Sequence, residues 1–324
     1  MKAIVVSTPG GPEVMQLQEI PDLTPQPDEL LVRVRAAGIN RADLLQRQGA
    51  YPPPPGASPV IGMEIAGEVL QTGANVQGWQ VGQQVMALLP GGGYAEQVTL
   101  PVAMAMPIPA NLSVEQAAAI PEAFLTAYLN LFTLGELQPN QIVLVHSGGS
   151  GVGSAAIQLA KAAGAQVFTT CSSEKVAACQ NLGADLVIDY KHEQFEPRIK
   201  EFTKGGGVDI ILDFVGGPYL LPNLNVLNLY GRLILIGQLG GGKAEIDLGL
   251  VMRKRLRVTG TTLRARPLAD KVELTQRFLE FALDKFETGQ LKPLVDRTFD
   301  LAAAADAHRY MAENRNFGKI VLKV

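Results

Sequence analysis

Leu30, Val32, Val34 and Ala36 alternate with Leu31, Arg33, Arg35 and Ala37, the period of two expected of a half-buried strand. Short runs of the same kind follow at 65–70, 84–89 and 94–98. Gly73, Gly78, Gly82 and the glycines at 91–93 punctuate them as turns. The first third of the chain therefore predicts a small barrel or rolled sheet. Within it, Tyr51 is followed by four prolines and Gly56, which fixes φ and removes backbone donors, so this stretch predicts a stiff loop. Ser113 and Gln116 form a capping-box pattern before an alanine-rich run, and Pro121 opens a second helical stretch ending near Leu134.

From Gln141 the pattern changes. Apolar runs at 142–145, 167–170, 186–188, 210–214, 233–236 and 256–258 are six strand candidates, too apolar for a sheet with a wet face. Helical stretches between them predict an α/β fold with a doubly wound parallel sheet. Leu274, Phe278, Phe281, Ala282 and Phe286 recur at helical spacing within 270–288 and predict a core-facing stripe. A helix at 302–313 and a strand at 319–324 close the chain and are expected to return to the first domain. The expected division is residues 1–119 with 264–324 in one domain and 120–263 in the other.

Composition narrows the function. A chain of 324 residues exceeds the roughly 250–300 residues at which single cores stop growing. With 47% hydrophobic and 18% charged residues it has a sizeable core. A net charge of −3 and a pI near 5.7 argue against nucleic acid as a partner, and Arg253, Lys254, Arg255 and Arg257 read as a solvated face. Two cysteines, Cys171 and Cys179, are too few for a disulfide framework and point to a reducing, cytoplasmic setting. Neither a signal peptide nor an 18-residue apolar span is expected, hence no membrane insertion.

The chemistry concentrates after the run 142–145. His146 and Ser147 lead into Gly148, Gly149, Ser150, Gly151, Val152 and Gly153, and then into a helical stretch from Ser154. A glycine-rich turn between a buried strand and a helix lets the backbone approach a pyrophosphate, and the helix N-terminus supplies unpaired N–H groups. Ser150 stands at the second glycine position of the G-x-G-x-x-G pattern. The next expected strand ends at Thr170, Cys171, Ser172 and Ser173, without the acid that holds a ribose 2′-hydroxyl, and Lys175 lies just beyond. Hydroxyl donors and a cation favour NADPH over NADH. Glu174 complicates that reading, and Ser172 also suits a helix cap with Glu174 in the first turn. His146, His192 and His308, scattered with two cysteines, offer no evident zinc site.

Longer motifs carry a resemblance over essentially the whole chain. They are Ala36-Ala37-Gly38-Ile39-Asn40-Arg41-Ala42-Asp43, Gln46-Arg47-Gln48-Gly49, Pro53-Pro54-Pro55-Gly56, Ile120-Pro121-Glu122-Ala123, the turn at 146–153, and Phe317-Gly318-Lys319-Ile320-Val321-Leu322. With them the sequence resembles the zinc-independent quinone oxidoreductases of the medium-chain dehydrogenase/reductase superfamily, most closely the branch of the p53-inducible quinone oxidoreductase. Where zinc-dependent relatives have Gly-His-Glu, this chain has Gly62-Met63-Glu64, and the cysteine-bearing lobe is missing.

The resemblance implies a GroES-like β-rich domain beside a Rossmann NADPH domain, and a homodimer joined at the edge of the cofactor sheet near Leu256. It assigns Ser172, Lys175 and Tyr190 to the adenosine phosphate end, and Asn40, Tyr51 and Thr126 to the region near nicotinamide. It adds contacts from Phe214, Val215 and Gly216, from 236–239 including Gly237 and Leu239, and from Leu263, Arg264 and Asn316. Each has a structural alternative: Tyr190 as a strand-edge cap, Asn40 in a turn, Asn316 in the loop before the last strand. The expected activity is hydride transfer from NADPH to a quinone or conjugated carbonyl, with Tyr51 and Asn40 as candidate catalytic groups. Tyr51 is equally suited to packing. The alternatives are an enoyl or ketone reductase and a non-enzymatic, crystallin-like NADPH-binding protein.

Overall fold

The computed structural model describes residues 1–324. They form two compact units, one of residues 1–125 and 263–324 and one of 126–262. The strands of the first stretch are β1 (Lys2–Val6), β2 (Met15–Glu19), β3 (Glu29–Ile39), β4 (Glu64–Thr72), β5 (Gln84–Leu88), β6 (Gln97–Pro101) and β7 (Ala105–Pro107). The second unit holds β8 (Ile142–Val145), β9 (Gln166–Cys171), β10 (Leu186–Asp189), β11 (Val208–Asp213), β12 (Leu227–Leu235) and β13 (Arg257–Gly260). The chain then returns to the first unit for β14 (Val295–Asp300) and β15 (Lys319–Lys323).

In the first unit, β1 and β2 pair as a hairpin, and a seven-stranded sheet runs β14-β15-β3-β4-β5-β7, with β6 also paired to β3. The alternation at 30–37 is the register of β3. Leu30, Val32 and Val34 enter a core with Ile65, Val69, Val85 and Ile320, while Arg33 and Arg35 stay outside. The closing strand does return to this unit, and β15 pairs antiparallel with β3.

The first boundary lies beyond 119, and the reason is packing. Phe124 sets its ring 5.0 Å from Phe286 of the helix Leu268–Glu287, and the Glu122 N–H donates to Glu64 at 2.8 Å. The start of the helix Pro121–Tyr128 is thereby tied to the first unit. Past Tyr128 the helix becomes a π-helical turn at Leu129–Leu134, where the Asn130 side-chain amide donates to the Thr126 carbonyl at 2.7 Å. Contrary to the expectation that no window reaches membrane-spanning character, the helical run Val114–Leu134 does so by length and composition. Of its apolar window, 72% is buried inside the protein.

The second unit is a six-stranded parallel sheet in the order β10-β9-β8-β11-β12-β13. Counted from β8, this is 3-2-1-4-5-6, the doubly wound order in which ligands bind at the carboxyl ends of the strands where the order reverses. Two details differ from expectation. The apolar run near 256 is not a fully buried strand: Leu256 is buried but precedes β13, whose Val258 is 36% exposed because β13 ends the sheet. The run at 94–98 becomes β6 only from Gln97, since Tyr94 turns its phenol into the buried interior.

Candidate functional site

The turn after β8 follows from local packing. Ser147 takes a left-handed φ of 56°, and the main chain bends so that the Gly148 N–H donates to the Thr170 carbonyl at 2.9 Å. A Cβ on Gly148 would meet Thr169 Oγ1 at 2.0 Å, and one on Gly153 would meet the Ser147 carbonyl at 2.3 Å. Both positions exclude any side chain. Ser150 is the N-cap of the helix Gly151–Ala162, its Oγ accepting from the Gly153 N–H at 3.0 Å. Serine at the second glycine position is therefore a cap. The N–H groups of Gly151 and Val152, in the first helical turn, have no intrahelical acceptor and are available to an anion.

The neighbouring strand ends form the rest of the rim. After β11 the Asp213 carboxylate accepts from the N–H groups of Val215 and Gly216 at 2.7 and 3.1 Å and from the Asn223 amide at 3.1 Å. Burial raises its pKa. The Leu239 N–H donates to the Phe214 carbonyl and the Gly240 N–H to the Val215 carbonyl, so Val215 and Gly216 lie against the loop holding Gly237 and Leu239. A Cβ on Gly237 would sit 2.9 Å from the Phe214 carbonyl, and Leu239 is 61% exposed. His146 is fully buried beneath this rim. Its Nε2–H donates to Asn223 and its Nδ1 accepts from Thr170, and burial pulls its pKa down to about 4.

At the end of β9, Ser172 does not cap the following turn. Its hydroxyl donates to Glu174 Oε1 at 2.7 Å, and Lys191 Nζ lies 3.2 Å from Glu174 Oε2. Lys175 follows in the same turn, and Tyr190, 50% exposed, donates its N–H to the Cys171 carbonyl. The fold thus gathers the turn at 148–153, Ser172, Lys175, Tyr190, Val215, Gly216, Gly237 and Leu239 along one end of the parallel sheet. Thr126 is buried at the start of this unit, where its carbonyl supports Asn130.

The remaining predicted residues belong to the first unit and divide into two groups. Asn40 is buried: its amide N–H donates to Glu64 Oε1 at 2.8 Å, and its oxygen accepts from Lys319 Nζ at 2.5 Å. Lys319 also lies 2.5 Å from Glu64 Oε1 and donates to the Ile39 carbonyl. Gly38 is required here, because a Cβ would meet Glu64 Oε1 at 2.3 Å. Asn316 is buried, and its amide donates to the Gly318 carbonyl at 2.7 Å.

Tyr51 and Arg264 form the second group. The guanidinium carbon lies 5.5 Å from the centre of the Tyr51 ring. Arg264 donates to the Pro90 carbonyl and to Gln46, each at 2.7 Å, but its buried Nη1 has no partner. Burial pushes the Tyr51 phenol up, with Arg264 opposing the shift, and burial lowers the Arg264 pKa. Leu263 is buried beside it in sequence. In the second unit, Thr261 Oγ1 is likewise buried and unpartnered. A buried donor without an acceptor is costly. Within the second unit, the open N-terminus of the helix Gly151–Ala162 fits the phosphates of a dinucleotide.

The sequence reading missed a buried polar chain in the first unit. Arg47 donates to His308 Nδ1 at 3.2 Å, His308 Nε2–H to the Tyr94 oxygen at 3.2 Å, and Tyr94 to Asp43 Oδ2 at 3.2 Å. Burial raises the Asp43 pKa to about 6 and lowers that of His308 to about 3. Met63 is buried, and no group of three or more His, Cys, Asp or Glu is arranged to hold a metal.

Comparisons with known proteins agree on the architecture. Residues 26–110 match the alcohol dehydrogenase GroES-like domain, and residues 151–281 match the family described as zinc-binding dehydrogenase. A quinone oxidoreductase of Pseudomonas aeruginosa is 35% identical over 99% of both chains. The human synaptic vesicle membrane protein VAT-1 homolog is 33% identical over 99% of this chain and 86% of its own length. A phenolphthiocerol/phthiocerol polyketide synthase of Mycobacterium tuberculosis is 35% identical over 98% of this chain, which spans 14% of that protein. Among solved structures, the Escherichia coli quinone oxidoreductase complexed with NADPH superposes with a TM-score of 0.91 at 30% identity over 100% of both chains. The JamJ enoyl reductase does so with a TM-score of 0.89 at 28% identity, over 99% of this chain and 98% of its own.

Proposed function

This chain belongs to the medium-chain dehydrogenase/reductase superfamily and is an oxidoreductase of that kind, and we propose that it is a zinc-independent NADPH:quinone oxidoreductase. The observation that carries the reading is the capped turn after β8, where Ser150 fixes the helix start and leaves the Gly151 and Val152 N–H groups to a pyrophosphate. Bound NADPH supplies the hydride. The chain's part is to hold the phosphates at this turn, to receive a 2′-phosphate at Ser172 and Lys175, and to stabilise the oxygen that gains charge on the acceptor. Tyr51 is the donor we assign to that oxygen, stacked against Arg264, with its phenol pKa pushed up by burial. Asn40, held by Glu64 and Lys319, is the supporting group we assign beside it.

Zinc independence is supported by Met63 in the place of a ligand histidine and by His146 and His308, whose ring nitrogens are engaged in buried networks. The p53-inducible branch remains the motif resemblance we favour. A homodimer through the β13 edge is supported by exposed Val258, Tyr230 and Met252 in that region. The buried free cysteines and the largely buried run 114–134 favour a cytosolic protein without membrane insertion.

The likeness to JamJ supports a second reading, an NADPH-dependent enoyl reductase acting on a conjugated carbonyl. A panel of quinones and α,β-unsaturated carbonyls, each assayed with NADPH and NADH, separates the two. We expect kcat/KM highest for quinones with NADPH. Preference for the unsaturated carbonyls moves the assignment to the enoyl reductase, and binding without acceptor-dependent oxidation makes the chain a binding protein.

A further inference from the structure

At the carboxyl end of β9, the second strand of the doubly wound order, a dinucleotide-binding fold contacts the adenosine ribose. Ser172 opens a single 3₁₀ turn there, Ser173–Lys175, before the helix Val176–Asn181. The donors that a 2′-phosphate would draw on are already engaged by this chain's own carboxylate. The Ser172 hydroxyl donates to one Glu174 oxygen at 2.7 Å, and the Lys191 ammonium, from the loop after β10, donates to the other at 3.2 Å. Ser172, the Glu174 main-chain N–H and Lys191 hold the carboxyl down to about 2, so it is charged throughout the neutral range. Asp189, at the end of β10, adds a second carboxylate facing the same turn, held low by Ser173 and the Lys191 N–H. Lys175 and Lys191 are thus balanced by Glu174 and Asp189.

We propose that Glu174 is the residue that sets the choice between NADPH and NADH in this pocket, an internal anion that a 2′-phosphate must displace and that a free 2′-hydroxyl can use as its acceptor. The inference rests on the oxidoreductase reading above and deepens it. A phosphate oxygen accepts hydrogen bonds from Ser172 and Lys191 as well as a carboxylate does, so displacement exchanges one set of charge-assisted bonds for another. The residual cost is repulsion between the phosphate and the displaced but still charged Glu174. The Glu174 side chain is 59% exposed, so it has room to swing outward, and salt screens that repulsion. With NADH there is no such repulsion, and the carboxylate is an acceptor that a free 2′-hydroxyl would use. Glu174 therefore narrows a preference for NADPH that the serines and lysines alone would make wide.

The test measures dissociation constants for wild-type chain and Glu174→Gln with four probes: NADPH, NADH, adenosine 2′,5′-bisphosphate and adenosine 5′-monophosphate. The amide keeps the shape and removes the charge. It should tighten NADPH and the bisphosphate about tenfold and leave NADH and the monophosphate unchanged or weaker. The NADPH gain should shrink as salt is raised. Should both dinucleotides bind the wild-type chain while Glu174→Gln leaves their ratio within about twofold, the inference is overturned and the oxidoreductase reading stands. Should neither dinucleotide bind, both fall together.

Discussion

Lys319 Nζ lies 2.5 Å from Glu64 Oε1 in the interior of the first unit, and Asn40 bonds to both partners. Glu64 is also the acceptor for the Glu122 N–H, so one carboxylate ties together β4, β15, the end of β3 and the start of the helix Pro121–Tyr128. Desolvating such a pair costs much of what the attraction returns, but removing one member leaves an uncompensated buried charge. Lys319→Met should destabilise the protein by about 3–5 kcal/mol in urea unfolding. Adding Glu64→Leu should recover part of the loss. Equal instability of the single and double variants would show that the pair does not act as a unit.

Ser150 makes a more local contribution. Ser150→Ala removes the acceptor of the Gly153 N–H and should cost about 1 kcal/mol of stability. NADPH affinity should fall only a few-fold, since the Gly151 and Val152 N–H groups remain. A loss of affinity above about a hundredfold would mean that the hydroxyl itself contacts the ligand.

The pH dependence of stability follows from three buried groups. His146 and His308 have folded pKa values lowered to about 4 and about 3, so their contributions are full above the ordinary histidine value of 6.5 and are lost as pH falls through the range below it. Asp43, raised to about 6, acts oppositely: its contribution is full below its ordinary value of 3.8 and is lost as pH rises toward 6. Two histidines outweigh one aspartate, so the unfolding free energy should fall between pH 6.5 and pH 4. His308→Gln should flatten that slope and Asp43→Asn should steepen it, as read from urea unfolding across the interval.

Replacing Tyr51 should have a kinetic effect without a folding effect. Tyr51→Phe keeps the ring over Arg264 and removes the phenol proton, so kcat for quinone reduction should fall about a hundredfold while NADPH affinity holds. Because burial raises the phenol pKa, wild-type activity attributable to it should persist through neutral pH and decline only above the ordinary tyrosine value. An unchanged kcat would make Tyr51 a packing residue and leave solvent as the proton source.

Much of the second unit was legible in the sequence because each of its signals is local. An apolar run, a glycine turn and a helical stretch in immediate succession are enough to place β8, Gly148 and Gly153. The exposure of the edge strand β13 is not visible in the sequence, because hydrophobicity does not reveal that a strand ends its sheet. β14 was missed: Asp296, Arg297 and Asp300 give it a polar pattern, and it is a strand because β15 pairs with it. Ser172 shows the limit for sites. Its residue type suits a cap or a phosphate donor, yet its partner is Glu174, two residues on. The chain from Arg47 through His308 and Tyr94 to Asp43, like the Lys319 and Glu64 pair, joins residues far apart in sequence, and no periodicity announces such contacts.

The turn after β8 is proposed to bind a dinucleotide through its backbone. The most direct measurement is fluorescence titration of wild-type chain and Gly153→Val with NADPH, with circular dichroism confirming that the variant is folded. The wild-type chain should form a saturable complex. The variant should lose it, because the added side chain would collide with the Ser147 carbonyl and distort the turn. No saturable binding by the wild-type chain, or the same dissociation constant for a folded variant, would contradict it.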